Sequence, residues 1–211
     1  MKKLIFIGIG ALVLILGLAS ATTKKKKPKP RKEDELVKIK TKYGEIQMIL
    51  FDDCPIHKAN FLKLAKEGYY DGTTFHRVIN DFMIQGGDPN SKDDDPTNDG
   101  MGGPGYTLEN EIQKKHLHVR GAVAAARKQN PDRRSSGSQF YIVQKYAGTP
   151  FLDADYTVFG QVVKGMTYVD IIANTSKDQN NRPYKDIKMT VTVETLKRTR
   201  ITELTGYEYE K

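Results

Sequence analysis

Gly100-Met101-Gly102-Gly103-Pro104-Gly105 satisfies the spacing G-x-G-x-x-G, with which a strand-to-helix turn cradles a dinucleotide pyrophosphate. The surroundings exclude that chemistry. Asp93-Asp94-Asp95-Pro96 stands where a buried strand is needed, and Pro104 interrupts the start of the helix, so the run reads as a glycine-rich turn. Asp88, Asn90 and the acids at 93–95 offer oxygen ligands. No glutamate stands twelve residues after a suitable first aspartate, as an EF-hand calcium loop requires. His116 and His118 alternate as on a strand or turn, without a third ligand near them in sequence. Cys54 is the single cysteine, which excludes an intrachain disulfide and a cysteine zinc cluster. Ser135, Ser136 and Ser138 flank Gly137 without the G-x-S-x-G elbow of a serine hydrolase. What remains is Phe75-His76-Arg77-Val78-Ile79, Asp81-Phe82-Met83-Ile84-Gln85-Gly86-Gly87-Asp88, Ser136-Gly137-Ser138-Gln139-Phe140-Tyr141-Ile142-Val143, Phe151-Leu152-Asp153 and Thr157-Val158-Phe159-Gly160.

Short strands must position these segments. Leu36–Thr41 and Glu45–Phe51 alternate apolar and polar residues across a Gly44 turn and predict a β-hairpin. Asp53 is the expected N-cap of a helix with Pro55 in its first turn and Phe61, Leu64 and Ala65 at helical spacing up to Gly68. A second helix is expected over Met166–Ala173. Further strands are expected at 74–78, 82–86, 121–126, 139–143, 157–163 and 188–196, and Thr199–Lys211 reads as a frayed tail. Eight short strands with two helices do not suit parallel βαβ units, which need a crossover per strand. A mostly β fold, a closed eight-stranded antiparallel barrel capped by two α-helices, suits them.

The chain carries a net charge of +8, but residues 1–32 hold nine Lys/Arg and no acid, leaving 25 bases against 26 acids in the other 179 residues. A near-neutral domain does not support a nucleic-acid groove. Met1-Lys2-Lys3, the apolar run Leu4–Ala21 and the Ala19-Ser20-Ala21 ending make residues 1–21 a signal peptide cleaved after Ala21, or alternatively an uncleaved membrane anchor through residues 4–21. The cations from Lys24 to Lys32 resist translocation and bear on both readings. Residues 22–35 are expected to be a basic flexible tether, 36–197 the folded domain and 198–211 a C-terminal tail.

From Leu36 to about Leu196 the quoted segments resemble, in order, the cyclophilin family of peptidyl-prolyl cis-trans isomerases. That pattern runs F-H-R-[VI]-I, F-M-x-Q-G-G-D, G-S-Q-F-[FY]-I, [WF]-L-D and V-F-G. The resemblance implies a barrel with a packed interior and an active surface on its outside. It implies that Arg77 is catalytic, with Gln85 orienting it, and that Phe82, Met83, Tyr141 and Leu152 form an apolar proline pocket. Gln139 would contact the substrate backbone, and Ala126 and Arg127 would pair with an extended substrate along an edge. Phe151 stands where tryptophan is frequent and should close one side of the site without an indole donor, so tight cyclosporin binding is not expected. Tyr156 stands in place of a frequent pocket histidine, and Tyr141 where phenylalanine is usual. Strand alternation should turn Tyr141 opposite to Phe140 and Ile142. The loop 128–136, with Arg133 and Arg134, would favour acidic substrates. His76 is read as structural, because the reaction transfers no proton. The implied protein is a monomeric isomerase without metal or organic cofactor, exported to a bacterial periplasm and acting on flexible proline-containing chains. Its rivals are a non-catalytic proline-binding module and a membrane-anchored scaffold.

Overall fold

The structure, a computed structural model, describes residues 31–209; the expected leader and most of the tether lie outside the described residues. The chain runs β1 (Glu33–Thr41), β2 (Gly44–Leu50), α1 (Pro55–Lys66), β3 (Arg77–Ile79), β4 (Met83–Gly86), β5 (Thr107–Leu108), β6 (Ala122–Ala125), β7 (Ser135–Ser136), β8 (Phe140–Val143), β9 (Val158–Lys164), α2 (Met166–Ala173), β10 (Thr190–Lys197) and α3 (Arg198–Thr205). Eight strands form one antiparallel sheet in the order β10-β1-β2-β9-β6-β8-β4-β3, and β5 pairs with β7 apart from it. The named ladders leave β10 and β3 as the two ends. One bridge, Thr74 to Lys188, with Phe75 N donating to Ile187 O at 3.0 Å and Met189 N to Thr73 O at 2.8 Å, joins the segments leading into them.

Period-2 alternation sorts the side chains into layers. Val37, Ile39, Ile46, Met48, Val123, Ala125, Ile84, Phe140 and Ile142 share the main core with Phe61 of α1 and Val169 and Ile172 of α2. Their neighbours Met83, Ala122, Ala124, Tyr141 and Val143 pack in a separate group on the other face. The β1–β2 turn needs glycine at 44, where φ is +145° and a Cβ would run into the Tyr168 ring.

Three expectations are corrected. The N-cap of α1 is Cys54, with no side-chain cap bond, rather than Asp53. The Glu111 carboxylate takes the free amides of Ile56 (2.9 Å) and His57 (2.8 Å), while Asp53 pairs with Lys115 (2.6 Å) and His116 (2.8 Å). The tether ends earlier than residue 35. Glu33 to Glu35 already belong to β1, opposite Lys197 to Thr195, and the 2% exposed Asp34 accepts from Lys58 Nζ at 2.7 Å. The tail is not frayed. Arg198–Thr205 is α3, closed by Gly206 at φ +77°, and its Ile201 is fully buried with Leu36 and Ile49.

Candidate active site

The site is laid out by strand register. Arg77 of β3 lies opposite Gln85 of β4, Gln85 opposite Tyr141 of β8, and Tyr141 opposite Ala124 of β6. Four strands therefore present one row of side chains on the face turned away from the main core. Met83, two residues before Gln85, stands on that face, as alternation requires. Phe82 enters from the turn before β4, Ala126 and Arg127 from the segment after β6, and Leu152 and Tyr156 from the turns before β9. Arg77, Phe82, Met83, Gln85, Ala126, Arg127, Tyr141, Leu152 and Tyr156 line one cavity of about 170 Å³.

Arg77 is half-buried, and its guanidinium touches uncharged acceptors. Nη1 meets Gln85 Oε1 at 3.5 Å and Met83 Sδ at 3.9 Å. Among the described residues no carboxylate lies within 4.0 Å of it. Desolvation lowers its pKa, partly offset by Tyr156, yet an arginine remains charged at any physiological pH. A relay of amides aims Gln85 at it. Gln85 Nε2 donates to Gln139 Oε1 at 3.0 Å, and Gln139 Nε2 donates to the carbonyls of Gly100 (3.0 Å) and Gly102 (2.8 Å). The glycine-rich turn thus anchors the site from behind, a role that its motif-like spacing did not suggest. His76, beside Arg77, is buried under Gly100, and burial lowers its pKa.

A larger groove of about 640 Å³ continues from the cup. It shares Gln85, Ala126 and Arg127 with it, and Gln139, Arg134 and the turn 100–105 wall it. The Ala126 backbone is already paired, its N–H to Gln139 O (3.0 Å) and its C=O to Ser136 N (2.7 Å). Among the described residues the Arg127 backbone has no hydrogen-bond partner along this rim, while its side chain is held by Asp155 O (3.1 Å) and lies 4.7 Å over the Tyr156 ring. Arg134 faces the groove, oriented by Thr107 Oγ1 (2.8 Å) and O (2.9 Å), whereas Arg133 turns to Ala154 O (2.9 Å).

Two expected site residues do not line the cup. Gln139 stands in the adjoining groove. Phe151 is 69% exposed and stacks on Phe82, 5.9 Å between centroids, outside the cavity it was expected to close. One residue that the sequence reading weighed only as a metal ligand, His118, stands directly behind the cup. His118 Nε2 is 2.9 Å from Tyr141 Oη and its Nδ1 is 2.7 Å from Asp153 Oδ1. Residues 118, 141 and 153 share no periodicity, so only the tertiary fold reveals them.

Asp53, Cys54 and His116 bring one ligand atom each within 4.8 Å of one another, away from the cup. Lys115 and His116 already hold the Asp53 carboxylate, and burial, followed by the nearby Asp53 and Glu111 charges, pushes the Cys54 thiol up to about 12. This group is satisfied as an ion-paired corner of α1 without a metal.

Residues 36–194 match the family described as cyclophilin type peptidyl-prolyl cis-trans isomerase/CLD. The chain is 42% identical over 159 residues to the peptidyl-prolyl cis-trans isomerase CYP71 of Arabidopsis thaliana, covering 74% of this chain and 24% of the relative. It is 40% identical over 182 residues to a Streptococcus pyogenes relative whose name joins phosphatase and peptidyl-prolyl isomerase, covering 72% of this chain and 37% of that one. The chain thus spans about a third or less of these two relatives. A crystal structure of a Cryptosporidium parvum cyclophilin in the presence of the dipeptide Ala-Pro superposes with a TM-score of 0.67 at 32% identity, over 75% of this chain and 98% of that one. With the register row, the arginine and the cup in place beside these matches, the chain belongs to the cyclophilin-type peptidyl-prolyl cis-trans isomerase family.

Proposed function

We propose that this protein accelerates rotation about X–Pro bonds in polypeptide chains. The observation that carries the reading is a half-buried Arg77, without a carboxylate within 4.0 Å among the described residues, opening on a cup of about 170 Å³ that Phe82, Met83, Tyr141 and Leu152 help to line. That is well below the roughly 300–1,000 Å³ of general small-molecule pockets and suits a single pyrrolidine ring.

No bond breaks in the reaction. The barrier of about 18–20 kcal/mol is C–N resonance, lost as the nitrogen pyramidalises and its lone pair localises. A donor fixed beside that nitrogen stabilises the twisted state more than either planar one, which is the condition for catalysis. Arg77 fills that role, Gln85 aims it, and Met83, Tyr141 and Leu152 hold the ring still. The Arg127 backbone edge pairs with the chain on the other side of the bond. Lowering the barrier by about 7 kcal/mol accelerates rotation about 10⁵-fold.

The same reading takes the bonds around Thr74 and Lys188 as the closure of the sheet into a barrel. It takes residues 1–21 as an export signal, alternatively an anchor, and the substrates as unfolded proline-containing chains maturing outside the cytoplasm, served by a monomer without cofactor. Arg127, Lys128 and Arg134 around the larger groove, against Asp132, favour an acidic residue close to the proline. Exchange NMR on an Ala-Pro peptide is the test. Cis–trans exchange accelerated by catalytic amounts of protein supports the reading, and peptide line broadening without faster exchange identifies a binding module instead.

A further inference from the structure

Behind the cup lies a chain of three polar side chains, the buried Tyr141 and His118 and the partly exposed Asp153, whose polar atoms the proposed chemistry does not use. Asp153 Oδ1 accepts from both the His118 backbone N–H (2.8 Å) and His118 Nδ1 (2.7 Å). A carboxylate only accepts, so the proton of a neutral ring is fixed on Nδ1 and Nε2 is left as an acceptor. Among the described residues the group that meets Nε2 is the Tyr141 hydroxyl at 2.9 Å, which must therefore donate. The His118 side chain is fully buried, and desolvation lowers its pKa against the opposing pull of Asp153, so the ring is neutral at pH 7. His118 also accepts from Thr149 N through its carbonyl, at 2.8 Å.

These bonds tie two separate walls of the cup together. Tyr141 is on β8, and Asp153 directly follows Leu152, whose segment begins at Thr149. The Tyr141 ring is further bounded by Tyr156, edge-on at 5.9 Å. Phenylalanine at 141 would keep the apolar face toward the proline but would leave Nε2 a buried, unsatisfied acceptor.

We infer that His118 is a positioning residue of the proline cup, acting through the Tyr141 hydroxyl and Asp153 to set the distance between the Tyr141 and Leu152 walls. The inference rests on reading the cup as the proline site. His118 touches no substrate, so its loss weakens seating of the ring and leaves the Arg77-assisted rotation itself intact.

The test is a double-mutant cycle on the protein with an Ala-Pro peptide. His118→Leu and Tyr141→Phe each raise KM about fivefold with kcat changed less than about twofold, the double variant is no worse than either, and His118→Gln, which keeps an acceptor, recovers most of the loss. Additive single effects, or equal loss by Gln and Leu, overturn the inference. Nitrogen NMR of the unmutated protein supplies an arm independent of folding of the variants. It should show His118 protonated on Nδ1 only, and an Nε2–H ring refutes the network. An unmutated protein that fails to accelerate exchange while keeping that tautomer would contradict the isomerase reading and leave the histidine geometry standing.

Discussion

The outward face of the sheet carries two aromatic patches, each with an arginine over a tyrosine, and they have opposite fates. On β1 and β2, Leu36 and Ile49 are sealed under Ile201 of α3 together with Tyr207 and Tyr209. There Arg198 lies 4.4 Å over the Tyr209 ring and is neutralised by Asp52 (2.6 Å) and Asp34 (3.6 Å). On β4, β6 and β8, Met83 and Tyr141 are themselves buried with Phe82, Leu152 and Tyr156 packed against them, and a cavity of about 170 Å³ opens among these side chains. Arg127 lies 4.7 Å over Tyr156, and among the described residues the neighbouring Arg77 guanidinium meets an amide oxygen and a sulfur. One patch spends its charge on a close ion pair; in the other Arg127 meets Asp155 only at 3.9 Å, and Arg77 has no carboxylate within 4.0 Å among the described residues. The same sheet face thus carries a sealed seam where charge is closely matched and an open cavity where the match is looser.

The contrast breaks most sharply at Lys58. Its Nζ binds Asp34 and Asp52, both at 2.7 Å, and the Leu50 carbonyl at 3.0 Å. Lys58→Met removes the nearest cation of the buried Asp34, leaving it Arg198 at 3.6 Å, and should cost about 3 kcal/mol in urea unfolding, the low end for a broken buried pair, while leaving Ala-Pro exchange untouched. Unchanged stability would show that the sealed patch does not depend on matched charge. Ile201→Ala is expected to cost about 2–4 kcal/mol by the same measurement, because the side chain is fully buried; a cost near zero would mean that α3 is not part of the domain.

Acid sharpens the comparison through the histidines. Burial lowers the pKa of His57, His76 and His118 from the ordinary value of about 6.5. The unfolded chain then binds more protons than the folded one below that value, so stability is complete above about pH 6.5 and declines as pH falls through the depressed folded values. The lowered carboxylates Glu35, Asp52 and Asp53 add their loss only nearer pH 4. A urea midpoint that stays flat from about pH 7 to pH 5 contradicts this order. A smaller effect is expected at the relay. Gln139→Leu removes the bonds to Gln85, Gly100 and Gly102 and should lower kcat/KM about tenfold, without the KM-only pattern expected at His118.

Alternation in 36–51 reveals the hairpin, and the spacing of Val169 and Ile172 predicts α2 with the bounds that the structure has. Opposite facing of Tyr141 against Phe140 and Ile142 also follows from alternation alone, and the layers bear it out. What stayed hidden depends on partners distant in sequence. The cap of α1 is supplied by Glu111, more than fifty residues away. Arg-Thr-Arg-Ile-Thr-Glu-Leu-Thr offers α3 one buried residue and no apolar stripe, so its helix exists because Ile201 has a place to dock. Phe151 reads as a pocket wall by its motif, yet the turn at Pro150–Leu152 points it at Phe82 and solvent.

The most direct measurement of the central claim is the cis–trans exchange rate of an Ala-Pro peptide with Arg77→Ala, beside urea unfolding of the same variant. A guanidinium without a carboxylate partner among the described residues, serving the twisted bond, predicts a loss of about 10²–10³-fold in kcat/KM with stability unchanged or slightly raised. Full exchange activity in Arg77→Ala, or a variant that unfolds as Lys58→Met does, would contradict it.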